Sequence, residues 1–318
     1  MKQETFTDFD AFRASNAQVE GQWLINGGTD WLWRTESLAV GSCQMVRCYS
    51  HTGLITEGVE SNGCYQFYVP FGSGAWRNNG VGFNEDEVLI VEPGAEHCQT
   101  TNTAEGFHGF FVPKPLLALD PETRGQQARC SYTVKDQRRL SNRFREMYAG
   151  LLAAVAENPG IESSPAATLV EAELRSMLEP LLRLHLSAEE SGPSRGRPRV
   201  SRRKIVERSQ VMLEEFDGEP IHVSELAKNA GVSLPTLEKA FNDYFHIGPR
   251  QYLRIRQLHK VRRELLVSAP DETTVSDVLT RWGVWEFGRF SGRYKLQFGE
   301  LPSETLRRRS QTRLTSVT

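Results

Sequence analysis

The sequence predicts a two-domain α+β protein: antiparallel β-structure followed by a pair of helices, and then an all-α domain with two helix-turn-helix units. Three observations support this fold class. Short apolar runs separated by turn residues fill positions 41–112, apolar residues at helical spacing follow at 136–187, and two helix pairs joined by glycine turns lie beyond position 201. A chain of 318 residues is long enough for two such domains, each with its own core.

The β region combines β-branched and aromatic residues with regular turn signals. Residues 64–69 and 87–91 are typical strands, and Pro70, Pro93 and Gly94 end such runs. Many short strands at this spacing indicate an antiparallel sandwich or barrel, which we place at about residues 20–120.

Two helices are predicted at 136–156 and 164–187. The second carries an apolar stripe: Leu169, Val170, Leu174, Met177, Leu178, Leu181 and Leu182. The stripe exceeds what is needed to cover one face of a β domain, so we expect it to mediate a homodimer; the alternative is that it packs on the chain's own β-structure.

Residues 188–200 are almost without apolar side chains and are predicted to be a linker, which gives domains at 1–187 and 201–318.

Charge divides the chain more sharply than its net value of −2 suggests. Residues 1–198 carry a net charge of −8 and residues 199–318 carry +6, and a basic domain suits a polyanionic partner.

No apolar run is long enough to span a membrane and the N-terminus lacks a signal-peptide pattern, so we expect a cytoplasmic protein with no membrane partner. Five scattered cysteines without a CxxC pair indicate reduced, mostly buried thiols.

The first helix-turn-helix unit lies at 221–245. Gly231 supplies the tight turn, Ser233 can cap the second helix, and Pro235 fits its first turn. The predicted apolar seam consists of Leu226, Ala230, Val232, Leu237, Ala240 and Phe241. The opposite face of the second helix carries Thr236, Lys239 and Asn242.

A second unit with the same organisation lies at 275–298, with Gly283 in its turn. Its second helix is predicted to turn Phe287, Phe290 and Tyr294 to the core and Trp285, Gly288, Arg289 and Gly292 outward, flanked by Arg293 and Lys295. A helix at 249–268 joins the two units. One glycine turn between amphipathic helices is common in domains that bind nothing, but a tandem in a basic domain favours a binding role.

Residues 205–309 resemble the DNA-binding domain of the AraC/XylS family of transcription regulators. The resemblance rests on the Glu225-Leu-Ala to Gly231-Val-Ser block, the start of the joining helix at 248–256, and the stretch 275–290 leading to 298–303. Over 261–306 the chain is particularly similar to the branch that contains the ethanolamine-utilisation and benzoate-pathway activators. Residues 1–190 more loosely resemble the family's cupin-like β-barrel sensor domain with a helical dimerisation pair.

This resemblance implies a regulator, by family habit an activator, that binds double-stranded promoter DNA and RNA polymerase and responds to a small-molecule effector. We expect no cofactor. The family's recognition helices enter major grooves, and base contacts are accordingly expected from Thr236, Lys239, Asn242, Trp285 and Arg289, with packing on a neighbouring helix as the alternative for Trp285. Phosphate contacts are expected from Arg250, Arg254, Arg256, Arg293 and Lys295.

Several aromatic residues of the β domain are candidates to line an effector pocket, among them Trp33, Tyr65, Phe67 and Trp76. The alternative is that they fill the core.

A rival interpretation is a cupin-like metal-dependent enzyme, because the turn at 93–97 resembles the PGxxH turn of cupin-type barrels. Its candidate ligands are His51, His97, His108, Glu92 and Glu96, but the chain holds no HxH pair. We therefore expect no metal and no enzyme activity, and a structural role for His97.

Overall fold

The structure is a computed structural model. It describes residues 1–16, 19–28, 30–60, 63–72, 74–117, 130–158, 160, 164–188, 201–216 and 221–315. The chain divides into a first unit, Met1–Trp23 with Leu32–Pro198, and a second unit, Leu24–Trp31 with Arg199–Thr318. The linker predicted at 188–200 lies outside the described residues, apart from residue 188.

The β-structure belongs almost entirely to the first unit. The strands are β1 (Lys2–Phe6), β2 (Val19–Ile25), β3 (Trp33–Val40), β4 (Cys43–Ser50), β5 (Leu54–Glu60), β6 (Cys64–Phe71), β7 (Trp76–Asn78), β8 (Val81–Phe83), β9 (Val88–Val91), β10 (Glu96–Thr100), β11 (Glu105–Pro113) and β12 (Ser131–Val134). They form a seven-stranded sheet, β1-β3-β4-β11-β6-β9-β12, and a five-stranded sheet, β2-β5-β10-β7-β8. Antiparallel pairing is confirmed, but the closed barrel is wrong, because the described strands divide between two sheets. β1 and β12 also lie outside the predicted limits of 20–120.

Side-chain alternation gives the seven-stranded sheet two different faces. On β6, Tyr65, Phe67 and Val69 point to one side, where they share an apolar core with the helices α2 (Arg138–Glu157) and α3 (Pro165–Ala188). Tyr68 points to the other side and belongs to a separate apolar cluster. The helices predicted at 136–156 and 164–187 are thus observed within one or two residues of their expected ends. A shorter helix, α1 (Phe9–Ser15), follows β1.

The apolar stripe of α3 packs within its own unit. Leu174, Leu178 and Leu181 are at most 2% exposed and lie in the same core as the β6 aromatics. Leu169, by contrast, is 73% exposed. The buried part of the stripe therefore covers the chain's own sheet, as the alternative interpretation expected, and a homodimer through these helices stays a prediction.

The second unit is helical. Its described helices are α4 (Arg202–Glu215), α5 (Val223–Ala230), α6 (Leu234–Phe245), α7 (Pro249–Val267), α8 (Val275–Arg281), α9 (Phe287–Phe298) and α10 (Pro302–Thr315). α5 and α6 form the first helix-turn-helix, α8 and α9 form the second, and α7 joins them. Ile255, Leu258, Val261 and Leu265 are buried along α7, which lets one helix support both halves of the domain.

A short segment from the N-terminal part of the chain, Leu24–Trp31, belongs to the second unit. The backbone N–H of Ile25 donates to Nε2 of His259 on α7, and Nε2 of Gln297 on α9 donates to the carbonyl of Ile25, at 3.0 and 2.7 Å. Nε1 of Trp31 donates to the carbonyl of Gln297 at 3.1 Å. The segment therefore ties α7 to α9.

No described helix combines the length and the apolar character needed to cross a membrane. All five cysteines are free thiols, and Cys43, Cys48 and Cys98 are buried. The predicted burial thus holds for three of them. Burial raises the pKa of the Cys48 thiol to about 12, so that this side chain behaves as a small apolar group.

Candidate nucleic-acid interface and effector cavity

The first helix-turn-helix is fixed by its turn and its caps. Gly231 has a φ of 69°, in the left-handed region that favours glycine, and ends α5. Arg208 donates from Nη1 to the carbonyl of Ala230 at 3.1 Å, which satisfies the C-terminal end of the same helix. Ser233 accepts the N–H of Thr236 and so caps α6. The sequence signals for this unit are therefore realised in the structure.

The recognition face of α6 is exposed, as predicted. Leu237, Ala240 and Phe241 are buried on the opposite face. The Thr236 hydroxyl lies 2.8 Å from that of Ser233, and Nδ2 of Asn242 donates to the carbonyl of Glu238 at 2.8 Å. Both side chains thus have local partners, which must be exchanged or shared if they are to contact DNA. Lys239 makes no hydrogen bond to the described residues and is the exposed cation of this face.

The second helix-turn-helix begins with a capping box. The N–H of Asp277 donates to the Thr274 hydroxyl at 3.2 Å, and the N–H of Thr274 donates to Asp277 Oδ2 at 3.0 Å. The hydrogen bond from the Thr274 hydroxyl lowers the pKa of the Asp277 carboxyl, which keeps it ionised at the positive end of α8. Gly283, with a φ of 66°, forms the turn.

The core face of α9 differs from the prediction at one position. Phe290 and Tyr294 are buried as expected, but Phe287 is 36% exposed. Phe287 is the first residue of the helix, so no preceding turn covers its ring. The buried line continues instead to Phe298, one turn further on.

The outward face of α9 carries few side chains. Trp285 is 75% exposed, which argues against its packing on a neighbouring helix. A Cβ added at Gly288 or Gly292 would meet nothing within 4 Å, so these glycines leave open space beside Arg289. Arg289 itself is paired with Glu286, with both carboxylate oxygens about 3 Å from Nη1. Any contact from Arg289 to a base therefore competes with this exposed ion pair.

A cationic groove of about 260 Å³, counted as space open to the centre of a water molecule, lies where α7 meets α4, α9 and the end of α8. Its lining residues are Leu213, Phe216, Ile221, Arg250, Leu253, Arg254, Arg256, Gln257, Lys260, Trp282 and Arg293. Five of these eleven described residues are Arg or Lys, and none is acidic. Gln257 donates to the carbonyl of Trp282 at 2.9 Å, and Lys260 Nζ lies 5.2 Å from the centre of the Trp282 ring. These contacts hold the groove's wall in place.

The predicted phosphate-contacting residues do not all lie in one environment. Arg250 and Arg254 are exposed and Arg293 is half-buried, and all three line the groove. Lys295 is exposed but lies outside it. Arg256 is only 9% exposed and donates from Nη2 to the carbonyl of Leu213 at 3.1 Å, so its assignment as a surface contact is wrong: it fastens α4 to α7.

A buried ion pair fixes the orientation of α9. Nη1 of Arg262, 2% exposed on α7, lies 2.6 Å from Oε1 of Glu300, and the guanidinium lies 4.6 Å from the centre of the Phe298 ring. Tyr294 lies beside this pair, and burial raises the pKa of its hydroxyl to about 12. The recognition helix is thus held by charged and aromatic contacts along its buried edge.

The first unit encloses a cavity of about 60 Å³, counted as space open to the centre of a water molecule. Its walls are Phe12, Asn16, Trp23, Val46, Cys48, Ser50, Leu54, Thr56, Tyr68, Trp76, His97, Gln99, Thr101, Phe107 and Phe111. Of the predicted pocket residues, only Trp76 lies in this wall. Tyr65 and Phe67 point to the opposite face of β6, and Trp33 is fully buried against Phe12 with ring centres 5.5 Å apart, so these three fill cores.

The residues considered as metal ligands do not converge. Within the described ranges, no three His, Cys, Asp or Glu side chains lie together as a metal site requires. His97 and His108 are buried separately, and desolvation lowers the pKa of each imidazole to about 4. His97, for which a structural role is expected, lies in the cavity wall.

Sequence reasoning missed Lys260 and Trp282 in the groove and most of the cavity wall. The groove is formed by three helices distant in sequence, so no local pattern points to it. On β11, Phe107 and Phe111 are spaced by four residues and therefore share one face with each other. That spacing was a usable signal, but it does not tell which face encloses space.

Similarity to known proteins is strongest in the helical unit. Residues 226–308 match a family model described as a helix-turn-helix domain. The probable thc operon regulatory protein of Rhodococcus erythropolis is 37% identical over 103 residues, which are 32% of this chain and 31% of that protein. The XylDLEGF operon transcriptional activator 1 of Pseudomonas putida is 27% identical over 274 residues, 80% of this chain and 76% of that protein. Among solved structures, the AraC-like transcriptional activator CuxR matches with a TM-score of 0.41 and 13% identity, over 83% of this chain and 96% of that one.

The family match covers the helices and turns that form both recognition faces, and the Pseudomonas match extends well into the first unit. A β-sheet unit followed by a tandem helix-turn-helix unit is also the organisation that the sequence resemblance implied. The chain belongs to the AraC/XylS family of DNA-binding transcription regulators.

Proposed function

We propose that this regulator inserts α6 and α9 into adjacent major grooves of promoter DNA, while the cationic groove holds the backbone between them. The observation that carries the proposal is the distribution of charge. Exposed cations lie on both recognition helices, Lys239 on α6 and Arg289 and Lys295 on α9, and the groove at α7 contains Arg and Lys without an acidic residue among the described ones. These exposed cations and the groove suit a polyanionic partner.

Within this interface the side chains divide by role. We assign base reading to Lys239 and Arg289, with Thr236, Asn242 and Trp285 as neighbouring contacts, because these residues are exposed on the recognition faces. We assign phosphate binding to Arg250, Arg254, Arg293 and Lys295, and add Lys260. Phosphate contacts supply affinity that depends on salt but not on sequence.

The first unit is proposed to regulate this DNA binding. Its sheets, which we place among cupin-like sensor domains, enclose the cavity where we propose that the small-molecule effector binds. The named activators among its relatives support an activating role and a regulatory rather than enzymatic activity. We propose in addition that activation includes a contact to RNA polymerase. The proposal needs no dimer, because one chain carries both recognition helices.

The test uses the full-length chain and a DNA site that it selects from a random pool. Fluorescence anisotropy would compare Lys239→Ala and Arg289→Ala with Arg254→Ala on the selected site and on unselected DNA. Each base-reading variant should lose about 10- to 100-fold on the selected site, and Arg254→Ala should lose affinity on both DNAs with a shallower salt dependence. Equal losses on both DNAs for all three variants would overturn the base-reading assignment. A wild-type chain that selects no sequence and shows no salt-dependent binding would overturn the interface itself.

A further inference from the structure

The cavity of the first unit has a largely aromatic wall, and its described lining residues include no Asp, Glu, Lys or Arg. Six of its fifteen lining residues are aromatic, namely Phe12, Trp23, Tyr68, Trp76, Phe107 and Phe111. Rings meet edge to face around the space, for example Tyr68 with Phe107 at 5.0 Å and Trp76 with Phe107 at 5.8 Å. Such walls suit a flat apolar molecule.

Two buried titratable residues of the wall, His97 and Cys48, are neutral as well. Desolvation lowers the pKa of His97 to about 4, and burial raises that of Cys48 to about 12, so neither is charged near neutral pH. An ionised ligand would leave water without gaining a counter-ion here, which is costly in a desolvated site.

Two polar atoms of the wall have no partner among the described residues: Nε1 of Trp76, which is 7% exposed, and Nδ1 of His97, which is 4% exposed. A buried donor without a partner is uncommon and costs free energy. An indole N–H can only donate, so its missing partner must be an acceptor. One water molecule needs roughly 10–15 Å³ on the same measure. The cavity volume of about 60 Å³ therefore leaves room for one small ring with a substituent.

We propose that this cavity binds an uncharged monocyclic aromatic molecule bearing a carbonyl-type hydrogen-bond acceptor, which receives the Trp76 Nε1 proton. The neutral imidazole of His97 offers a second hydrogen bond at Nδ1. This inference rests on the proposed function in one respect, since it takes the bound molecule to be the effector. Binding of that molecule to the cavity does not depend on DNA.

The experiment titrates the full-length protein with acetophenone, benzoate and toluene, using calorimetry and the change in melting temperature. The three probes share a ring and differ in one substituent, which is a neutral acceptor, an anion or a methyl group. Acetophenone should bind at least about ten-fold more tightly than benzoate, because the cavity pairs no charge, and more tightly than toluene, because of the indole hydrogen bond.

Trp76→Phe keeps an aromatic ring and removes the N–H. It should weaken acetophenone by about three- to ten-fold and leave toluene within about two-fold. Trp33→Phe is the matched control, since Trp33 is also a buried indole whose Nε1 lacks a partner among the described residues, yet lies outside the cavity wall. That control should leave both affinities unchanged.

Three results would overturn the inference: benzoate binding as tightly as acetophenone, no probe binding up to its solubility limit, or Trp76→Phe without effect on acetophenone. Each of them leaves the DNA-binding test untouched. Conversely, loss of DNA binding with intact acetophenone binding would contradict the proposed interface and not the cavity's chemistry.

Discussion

The backbone N–H of Ile25 donates to Nε2 of His259 at 3.0 Å, although the two residues are 234 positions apart. Because Nε2 accepts this bond, the ring proton of His259 resides on Nδ1. His259 is 5% exposed and packs edge to face on Phe298 at 4.8 Å. Asn26 adds a hydrogen bond to the carbonyl of Phe245. The helical unit is therefore completed by residues that precede the main β-strands in the chain.

Replacing Trp31 should destabilise the helical unit without altering its DNA-binding face. Trp31→Ala removes the hydrogen bond to the Gln297 carbonyl and the packing of the indole against Gly299, which we expect to cost about 1–3 kcal/mol of unfolding free energy. Urea unfolding followed by circular dichroism of the helices would measure it.

The control is a second tryptophan in the same unit. Trp285 is 75% exposed, so Trp285→Ala should leave the unfolding free energy within about 0.5 kcal/mol while weakening DNA binding. A Trp31→Ala variant as stable as the wild type would show that the segment Leu24–Trp31 contributes nothing to the helical unit.

Both helix-turn-helix units could be predicted from the sequence, because their signals are local. Gly231 and Gly283 mark the turns, and the spacing of Leu237, Ala240 and Phe241 gives the buried face of α6 directly. Partners such as Ile25 and His259 leave no such signal. Their pairing depends on how a whole unit folds, and nothing in the composition of 24–31 distinguishes it from a turn between two strands.

The cavity shows a different limit. Strict alternation on β6 puts Tyr65 and Phe67 on one face and Tyr68 on the other, and this much follows from the sequence. Which face meets helices and which encloses space depends on the position of α2 and α3. Apolar residues suit both environments equally, so the sequence left open whether Tyr65 and Phe67 line the cavity or fill the core, and the structure places them in the core.

Charges placed on the stripe of α3 should unfold the first unit rather than separate subunits. Leu174→Glu or Leu181→Glu buries a carboxylate in the core that holds α3 on its sheet, at an expected cost of about 3–5 kcal/mol. Leu169→Glu is the matched control, because that side chain is 73% exposed on the same helix. Thermal unfolding and sedimentation would distinguish the cases. A stable Leu174→Glu variant with a lower molecular mass than the wild type would instead support the dimer interface.

The first unit should lose stability as the pH falls from about 6.5 towards 4. His97 and His108 have pKa values of about 4 in the folded chain, below the ordinary value of 6.5, because burial disfavours their protonated forms. The unfolded chain therefore binds more protons in this range, and each histidine contributes stability that is present above pH 6.5 and declines by about 1.4 kcal/mol per pH unit below it.

Urea unfolding at pH 7.5, 5.5 and 4.5 would measure this loss of unfolding free energy. His108→Gln should remove about half of the pH dependence of the unfolding free energy. Equal stability of the wild-type first unit at pH 7.5 and 4.5 would contradict the buried neutral state of both rings.

The ion pair between Arg289 and Glu286 should restrain DNA binding. Both side chains are 64% exposed, and such pairs are weak, so a guanine can displace the carboxylate from Arg289. Glu286 would then remain near the phosphates as an unfavourable like charge. Glu286→Gln removes that charge and frees the guanidinium, so affinity for the selected site should rise by about two- to five-fold, and more than for unselected DNA.

Asp271→Asn removes one negative charge from another exposed position of the same unit and should produce a smaller gain that is equal on both DNAs. Anisotropy titrations of the two variants at the same salt concentration would separate these effects. If Glu286→Gln weakened binding to the selected site, Glu286 would be orienting Arg289 for base contact rather than competing for it.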